Sequence, residues 1–533
     1  MAHKKSNRSK NRRMDAIKST VLETCSKPYQ DWFPHARAHK RSFILHVGPT
    51  NSGKTHDALN AMMTASSGCY LAPLRLLALE VGEDMRDAGI PCDIMTGEDQ
   101  DCQPHAKHMS STIELMDVNK HYDVAVIDEA QLIADNNRGG AWLTAIMGVD
   151  ADTIHVCMAP EALDIVERLI TLCCDDYTVV KHERKTPLIV DNGFVDIYNE
   201  TYKPMKGDAI IAFSRNAVLN IAATLEMYGT RTSVIYGALP WRVRKEEARK
   251  FREGETNVVV STDAIGIGLN LPIRRIIFSE TEKFNGITVA ALKPSEVKQI
   301  AGRAGRYGIY DEGHVVGINS QGTKFIKQQL QASFTTIGRA MVDIPNELLD
   351  NEDYALSEII SGWNQIKTDS LFNGSANMFS KSDTSNMLGA VYNLEDLNDD
   401  KEFSLTRDEI IRMASVQFDI NKDEQHEEWF NMCMDYGLKH ANMSCEPIKP
   451  DNYSKSRMYE LEKISKTNSI RFSFGRCLGI MDRARNNRFM KVRSEIDNLM
   501  INQLLSEDKS EFIHNKYDDY YNNDDIYDFY YRM

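Results

Sequence analysis

"HVGPTNSGKTHDALN", residues 46–60, is the stretch that decides the fold. A short apolar run leads into it, a glycine-rich turn occupies its middle, and a helical pattern follows. Gly48, Gly53, Lys54 and Thr55 match the spacing G-x-x-x-x-G-K-T. Glycines let backbone N–H groups curve around an anion, and the following helix contributes the positive end of its dipole. The pattern therefore predicts a loop that binds the phosphates of a nucleoside triphosphate.

Two side chains of this loop have distinct predicted roles. Lys54 would reach the β- and γ-phosphates, and Thr55 would bind Mg²⁺. The other loop residues would enclose the phosphates with their backbone, and they are Gly48, Pro49, Thr50, Asn51, Ser52 and Gly53. A chance glycine turn is the alternative interpretation, and the strand–turn–helix setting argues against it.

The composition is that of an ordinary globular protein. The 533 residues suffice for three or four domains, and 42% are hydrophobic and 26% charged. The net charge of −14 means that any nucleic-acid site must be a local basic cleft. No apolar run approaches the roughly 18 residues of a membrane span, and the start shows no apolar signal-peptide segment. We therefore expect no membrane partner.

The ten cysteines show no regular spacing, which favours reduced thiols in a cytosolic-type protein. Cys92, Cys102, His105 and His108 are zinc-capable residue types, but their spacing fits no common zinc site. We therefore do not expect a metal at this group.

The two ends of the chain differ in charge. Residues 1–18 are basic and polar, whereas residues 517–533 are acidic and aromatic, and both are predicted to be flexible extensions. The basic start is either a nucleic-acid arm or, less favoured for want of an apolar helical face, a transit peptide. The acidic tail has two interpretations: it is a solvated end, or it docks on a basic partner or in a nucleic-acid channel.

Strand-like and helix-like segments alternate along most of the chain, which predicts α/β domains with parallel sheets. A polar stretch at residues 181–187 reads as a linker, after which the alternation starts again. Beyond residue 336 only helical periodicity remains. The predicted boundaries are a basic extension at 1–40, a nucleotide-binding domain at 41–182, a second α/β domain at 187–335, an all-α accessory region at 336–506 and an acidic aromatic tail at 507–533.

A second catalytic element follows a buried strand in "VAVIDEAQ", residues 124–131. Asp128 and Glu129 stand at its carboxyl end, where open α/β sheets bind ligands. Asp128 would hold Mg²⁺, and Glu129 would position or deprotonate the attacking water. An acidic strand end that merely opens a loop is the alternative, which the upstream phosphate loop makes less favoured.

The third element lies in the second domain, in "KPSEVKQIAGRAGR", which reads as a helix with Ser295 as its cap. We predict that Gln299, Arg303 and Arg306 share one face of this helix. Guanidinium groups placed in this way can clamp a γ-phosphate from across a cleft. A solvated basic helix is the alternative, and the intervening glycines argue against it because they destabilise a helix.

The stretch "STDAIGIGLN", residues 261–270, follows another buried strand. Thr262 ends that strand, and Gly266 and Gly268 would allow close approach of the backbone to the nucleotide. Further along, Asn285 and Gly286 predict a tight hairpin.

Taken together, these elements resemble the conserved motifs of superfamily 2 helicases. Residues 48–55 match the first motif, "DEAQ" looks like a DExH-type second motif, and "CMAP" stands where the third is expected. "PLRLLALE" and "TGE" look like strand-contacting motifs. "IAFSR", "STDAIGIGLN" and "QIAGRAGR" look like the fourth, fifth and sixth motifs.

The combination of "GPTNSGKT", "VIYGALP", "TDAIGIGLN" and "QIAGRAGRYG" is similar to the RNA helicases of the mitochondrial degradosome and their bacterial relatives. The resemblance covers about residues 30–335. It implies two RecA-like domains with a nucleotide cleft between them, and an NTP-dependent helicase that translocates 3′→5′ on single-stranded RNA from a 3′ tail. It also implies a mitochondrial location in a eukaryote, a cytoplasmic one otherwise, and an exoribonuclease or other protein as a C-terminal partner.

The resemblance assigns a nucleic-acid grip to Arg75, Thr96, Gly97, Ser214 and Thr262. No adenine-reading glutamine motif precedes the phosphate loop, so we expect ATP and other NTPs to be accepted.

Two departures from the superfamily pattern stand out: "CMAP" replaces the common Ser-Ala-Thr, and Gln131 ends the second motif. The alternatives left open are a DNA or mixed DNA/RNA helicase with the same motor, because no motif reads a 2′-hydroxyl, and a nucleic-acid clamp with little unwinding.

Overall fold

The computed structural model describes residues 2–97, 100–266, 270–284, 288–373, 377–398, 403–416, 418, 422–450 and 457–505. Three predictions fall outside these ranges: the nucleotide contact of Gly268, the tight turn at Asn285 and Gly286, and the acidic tail at residues 507–533.

The first domain is built on one sheet of eight strands within the described residues. They are β1 (Ser42–Val47), β2 (Gly68–Ala72), β3 (Cys92–Met95), β4 (Gln100–Asp101), β5 (His108–Thr112), β6 (Tyr122–Ile127), β7 (Ala151–Met158) and β8 (Asp176–Lys181). The helices of this part of the chain are α1 (Ala2–Thr24), α2 (Pro34–Arg37), α3 (Lys54–Thr64), α4 (Arg75–Asp87), α5 (Gly139–Gly148) and α6 (Leu163–Leu172). The spatial order is β4-β3-β5-β2-β6-β7-β1-β8, and only the β3–β4 pair is antiparallel.

The strand order decides where the functional loops lie. Because β7 separates β1 from β6 in a parallel sheet, the loops after β1 and β6 leave the same carboxyl edge, on either side of β7. The register pairs Val47 with Met158, and Ile127 with Val156. The phosphate loop and Asp128 are therefore neighbours at the edge where such sheets bind ligands.

The second domain repeats this architecture with a sheet of six parallel strands in the order β11-β12-β10-β13-β16-β9. Its strands are β9 (Leu188–Val190), β10 (Asp208–Ile211), β11 (Thr232–Ile235), β12 (Val258–Ser261), β13 (Arg275–Phe278), β14 (Glu282–Phe284), β15 (Val289–Ala291) and β16 (Gly313–Gly317). Its helices are α7 (Arg215–Met227), α8 (Trp241–Glu253), α9 (Pro294–Ala301) and α10 (Ser320–Gln331). β14 and β15 form a separate antiparallel pair around the predicted hairpin.

The C-terminal region is helical, as predicted, except for one short pair of strands. The helices are α11 (Asn346–Leu349), α12 (Leu356–Gln365), α13 (Ser385–Leu397), α14 (Arg407–Ala414), α15 (Asp423–Lys439), α16 (Met458–Cys477) and α17 (Arg483–Leu505). The strands β17 (Ala340–Val342) and β18 (Phe379–Lys381) pair in parallel, so the region is not all-α. Three-residue strands are too short to show a period-two pattern, which is why the sequence did not predict them.

The apolar cores show how these parts are joined. One core cluster runs from the first domain into the C-terminal helices and includes Trp142, Trp363 and Trp429. The core of the second domain takes in Leu461 of α16 and Ile496 of α17. The last two helices therefore tie the second domain to the rest of the molecule. Among the described helices, none combines the length and the apolarity that crossing a membrane requires.

The basic N-terminal stretch differs from its prediction as a flexible extension. It forms α1, whose Ile17 and Val21 are fully buried, as is Cys25 directly after the helix. A Cβ on Gly362 of α12 would lie 2.5 Å from the Ile17 side chain, which shows how closely the two helices approach. The spacing of four residues between the buried positions is the apolar helical face that the basic composition concealed.

Candidate nucleotide and nucleic-acid site

The phosphate loop is shaped by its glycines. A Cβ on Gly48 would lie 2.3 Å from the carbonyl oxygen of His182, so only glycine fits there. Gly53 has φ of +90° and precedes α3, which starts at Lys54. Asn51 also adopts a left-handed conformation, with φ of 62°. The loop therefore presents its N–H groups at the start of a helix, as anion binding requires.

Lys54 turns back into this loop. Its Nζ donates to the carbonyl oxygens of Gly48 and Pro49, both at 2.7 Å. Burial lowers the pKa of the ammonium, whereas Glu129 and Asp128 oppose that shift. Its charge is thus held within the loop that would surround the phosphates.

Asp128 is buried at the centre of a hydrogen-bond network. Its Oδ1 accepts from the Thr55 hydroxyl at 3.1 Å and from the Glu129 N–H at 2.9 Å, and its Oδ2 accepts from the Tyr70 hydroxyl at 2.9 Å. Burial and the nearby Glu129 raise its pKa. Within the described residues no lysine or arginine forms an ion pair with it. A divalent cation between Thr55 and Asp128 would supply the missing positive charge, so the pair fits Mg²⁺.

Glu129 and Gln131 connect the second and third motifs. Glu129 has φ of 50°, in the left-handed region, which turns the chain away from the end of β6. The amide of Gln131 donates to the Glu129 carboxylate, and its oxygen accepts from the Ala159 N–H at 3.0 Å. Gln131 therefore ties the candidate base to the "CMAP" segment.

The sixth motif is not arranged as the sequence predicts. The helix α9 ends at Ala301, so Gln299 lies on it, whereas Arg303 and Arg306 belong to the turn that follows. Ser295 is also not the cap, because the helix begins one residue earlier. The prediction of one shared helical face is therefore wrong.

Gly305 is the physical reason why the helix does not continue to Arg306. Gly305 has φ of +70°, a left-handed conformation that ends helices. In the resulting turn, Arg303 Nε donates to the Gly266 carbonyl at 3.0 Å, and Arg306 Nη1 donates to the Asn270 carbonyl at 3.0 Å. Each arginine is thereby held against the loop that follows β12.

The two arginines differ in their relation to the first domain. Burial lowers the pKa of Arg303, while Glu129 and Asp128 act in the opposite direction, so the guanidinium lies within electrostatic range of both carboxylates. The pKa of Arg306 is lowered by burial and by Arg252, and neither of the two carboxylates contributes to it. Of the two, Arg303 is therefore the arginine within electrostatic range of the candidate catalytic carboxylates.

Gly266 lies against the helix and turn that carry Gln299 and Arg303. A Cβ on Gly266 would lie 3.7 Å from Cγ of Gln299, and its carbonyl accepts from Arg303. This places Gly266 against domain-two residues, and its predicted contact with the nucleotide stays a prediction.

The predicted linker enters the cleft between the domains. Arg184 donates to the Gly302 carbonyl at 2.7 Å and to the Ala304 carbonyl. From the phosphate loop, Asn51 Nδ2 donates to the same Gly302 carbonyl at 2.9 Å, and a Cβ on Gly302 would lie 2.8 Å from Cβ of Thr50. The phosphate loop and the arginine turn are thus in contact. The sequence shows only a polar stretch at residues 181–187, so it did not predict that Arg184 bonds to the arginine turn.

Three of the predicted grip residues gather at one cleft of about 580 Å³, namely Arg75, Thr96 and Gly97. The opposite wall is α16, which contributes Lys466, Ser469, Ser473, Arg476 and Cys477. Arg476 Nη1 lies 3.3 Å from the Gly97 carbonyl oxygen. Arg75 also lines a smaller adjoining cavity of about 180 Å³ with residues of the second domain.

Ser214 and Thr262 are placed elsewhere. The Ser214 hydroxyl accepts from the Ala217 N–H at 3.1 Å and caps α7, and the Thr262 hydroxyl accepts from the Ala264 N–H at 3.3 Å. Among the described residues that line the 580 Å³ cleft, neither is present. Their predicted grip on nucleic acid stays a prediction.

The wall formed by α16 was missed. The spacing of Lys466, Ser469, Ser473 and Arg476 puts them on one face of the helix, but neither serines nor isolated basic residues mark a motif. Arginines are frequent between Arg471 and Arg488, yet Arg471 pairs with Glu428 and so is engaged within the helical region.

Comparison with protein families identifies the core. Residues 28–182 match the DEXQ-box helicase domain of Suv3, and residues 194–308 match the helicase conserved C-terminal domain. The chain therefore carries a DEXQ-box helicase domain of the Suv3 type, followed by a helicase C-terminal domain. Gln131 is therefore the glutamine expected of a DEXQ box, and the resemblance inferred from the motifs is confirmed.

Two curated relatives show the extent of the similarity. A mitochondrial DExH-box ATP-dependent RNA helicase, DExH18 of Arabidopsis thaliana, is 41% identical over 61% of this chain and 42% of its own. The human mitochondrial ATP-dependent RNA helicase SUPV3L1 is 39% identical over 62% of this chain and 43% of its own. The chain thus spans about half the length of the curated relatives it matches. Among solved structures, a leucine-to-valine variant of Saccharomyces cerevisiae Dbp5 bound to RNA and ADP BeF3 is 17% identical, with a TM-score of 0.44, over 56% of this chain and 85% of that one.

Proposed function

We propose that this protein is an NTP-dependent RNA helicase that uses ATP, accepts other NTPs, and translocates 3′→5′ on single-stranded RNA to unwind duplexes. The observation that carries the proposal is the contact between the phosphate loop and the arginine turn, where Asn51 Nδ2 donates to the Gly302 carbonyl at 2.9 Å. This contact brings the loop that holds Lys54 next to the segment that carries Arg303. Two domains that contribute opposite charges to one cleft can be opened and closed by a triphosphate between them.

In hydrolysis, the loop N–H groups and Lys54 bind the phosphates and orient the γ-phosphate. Mg²⁺, held through Thr55 and Asp128, supplies neutralisation of phosphate charge when bound. Glu129, held by Gln131, positions the attacking water and accepts its proton. Arg303 stabilises the charge that develops on the transferred phosphoryl group.

The RNA path runs through the cleft between the first domain and α16. Arg75, Lys466 and Arg476 supply positive charge for phosphodiesters in a chain whose net charge is −14. Ser469 and Ser473 add hydroxyl groups that can bond to phosphate or ribose. This placement of basic side chains in one cleft of an acidic chain agrees with RNA binding by a local cleft and not by overall charge.

The position of α16 suggests how hydrolysis moves RNA. Its first turns, with Leu461, lie in the core of the second domain, whereas Phe474 near its end lies in the core shared by the first domain and the helical region. Movement of one domain relative to the other must therefore shift or strain this helix. Since α16 forms one wall of the cleft, that movement reaches the bound strand.

The proposed location rests on the names of the relatives, and the proposed partner rests on the motif resemblance alone. Both relatives described above carry "mitochondrial" in their names, so we propose a mitochondrial location in a eukaryotic host and a cytoplasmic one otherwise. An exoribonuclease or another protein is the proposed partner of the C-terminal region.

Phosphate release with single-stranded RNA, single-stranded DNA and no strand tests the activity. We expect RNA to stimulate release most strongly, and Lys54→Ala to remove release with every strand. Equal stimulation by DNA would favour a helicase without RNA preference, and no release would favour a clamp. Strand displacement on duplexes with a 3′ or a 5′ tail tests direction, and displacement from the 5′ tail alone would contradict it.

A further inference from the structure

The topology brings four metal-capable side chains together at the edge of the first sheet away from the phosphate loop. His39 precedes β1, His121 precedes β6, and Asp150 and Asp152 flank the first residue of β7. These three strands are neighbours in the order β6-β7-β1, so the residues at their amino ends converge. A strand of six residues separates this edge from the nucleotide site by roughly 20 Å.

The side-chain geometry is that of a compact ligand set. His121 Nδ1 lies 2.8 Å from Asp150 Oδ1, and His39 Nε2 lies 3.7 Å from the same oxygen. His39 Nε2 is also 3.9 Å from Asp152 Oδ1. In a tetrahedral zinc site with bonds of about 2.0–2.2 Å, neighbouring ligand atoms are about 3.3–3.6 Å apart. The observed distances bracket that range, so rotamer adjustments suffice to bind an ion.

His39 supplies a second observation. Its Nε2 is shielded from solvent and has no hydrogen-bond partner among the described residues. It points between two carboxylates that are both too far for a hydrogen bond. A buried polar nitrogen without a partner is unfavourable, and a bound cation would satisfy it.

We propose that His39 Nε2, His121 Nδ1 and Asp150 Oδ1 bind a divalent transition-metal ion of the Zn²⁺ class, with Asp152 or water as the fourth ligand. Two imidazoles with one or two carboxylates select a borderline metal over Mg²⁺ or Ca²⁺, which prefer oxygen ligands alone. The site fastens the segment before β1 to the starts of β6 and β7, and so stabilises the sheet that carries the phosphate loop.

The alternative is a surface ion pair. Asp150 raises the pKa of His121 through their hydrogen bond, so a protonated His121 can satisfy the carboxylate without a metal. That pair leaves the Nε2 of His39 unexplained. The zinc-capable residues that the sequence suggested do not compete, because His108 Nε2 is hydrogen-bonded to the Met62 carbonyl and these residues form no metal-capable group within the described part of the chain.

The experiment measures zinc binding to the full chain after removal of metal with a chelator. Competition with a fluorescent zinc indicator gives affinity and stoichiometry, and a thermal melt with and without Zn²⁺ gives stabilisation. We compare His39→Ala, His121→Ala and Asp150→Asn with His35→Ala. His35 is exposed on α2, four residues before His39, and belongs to neither metal-capable group.

We expect one zinc ion per chain, an affinity lowered about tenfold or more in each ligand variant, and unchanged affinity in His35→Ala. Zn²⁺ should raise the melting temperature of the unaltered chain by several degrees and that of the ligand variants much less. Melts in chelator show whether each variant folds, and Asp150→Asn keeps the side-chain shape. Zinc binding of equal strength in all variants, or stabilisation by Mg²⁺ as large as that by Zn²⁺, would overturn the proposal.

Discussion

The nucleotide cleft and the α16 wall of the RNA cleft are built in opposite ways. In the cleft, the first-domain candidate residues stand in short contiguous motifs at the carboxyl ends of strands, where the sheet alone brings them together, and the arginines stand in one short motif of the second domain. In the wall, Lys466, Ser469, Ser473 and Arg476 are ordinary helix residues that face the cleft only because α16 packs across both domains. A site that requires an unusual backbone conformation can be recognised from its sequence motif. A site whose residues are brought together only by tertiary packing cannot.

The largest expected effect tests the nucleotide side of this comparison. Lys54→Ala should abolish hydrolysis, because the ammonium within the phosphate loop would be lost. The melting temperature should change little, since the hydrogen bonds of Lys54 to described residues go to two loop carbonyls. Phosphate release and a thermal melt measure the two properties, and near-normal turnover with a normal melt would refute the site.

The next largest effect separates the two arginines. Arg303→Ala should lower RNA-stimulated turnover by about 10²–10³-fold, because it removes the guanidinium that faces Asp128 and Glu129. Arg306→Ala should also lower turnover, but less, because its described contact is the Asn270 carbonyl. Single-turnover hydrolysis at saturating ATP and RNA measures both. A larger loss in Arg306→Ala would reverse the assignment.

The same contrast explains what the sequence could predict. The fold class was confirmed, and the apolar run "SFILHV" corresponds to β1 because both faces of that strand are covered. β5, "HMSST", gave no strand signal because polar residues are buried in it, and the Ser110 hydroxyl is satisfied by the Ala78 carbonyl. The phosphate-loop contacts and the Thr55–Asp128 pair follow from motif spacing. The arginine turn was wrongly predicted as helix because periodicity outweighed its glycines.

A smaller effect tests the α16 wall. Arg476→Ala should weaken RNA binding by about 1 kcal/mol, or roughly fivefold, by loss of one phosphate contact. Hydrolysis without RNA should stay unchanged because the residue lies outside the nucleotide cleft. Arg488→Ala is the matched control, since Arg488 pairs with Glu446 on the surface. Binding measured at two salt concentrations should show a shallower salt dependence for Arg476→Ala only, and equal losses in both variants would argue against the path.

The smallest effect concerns stability. It limits the comparison, because the phosphate-loop stretch also contains a residue, His46, whose role depends on tertiary packing. His46, the first residue of the decisive stretch, is 5% exposed and bonds to His182 and His155, each at 2.9 Å. Burial, together with the two neighbouring imidazoles, lowers its pKa from 6.5 to about 4. The folded chain therefore keeps His46 neutral in a range where the unfolded chain takes up a proton.

Because the pKa of His46 is lower in the folded state than in the unfolded one, stability is lost as the pH falls from about 6.5 to about 4 and levels off below that. Its contribution at pH 5 is at most about 2 kcal/mol relative to neutral pH. His46→Asn keeps a buried polar group that does not titrate, so its melting temperature should fall less between pH 7 and pH 5 than that of the unaltered chain. Groups that do not contact His46 titrate equally in both proteins and cancel in the difference. Equal falls of the melting temperature in the two proteins would show that His46 is not held neutral. The acid sensitivity of the sheet beneath the phosphate loop would then not depend on this residue.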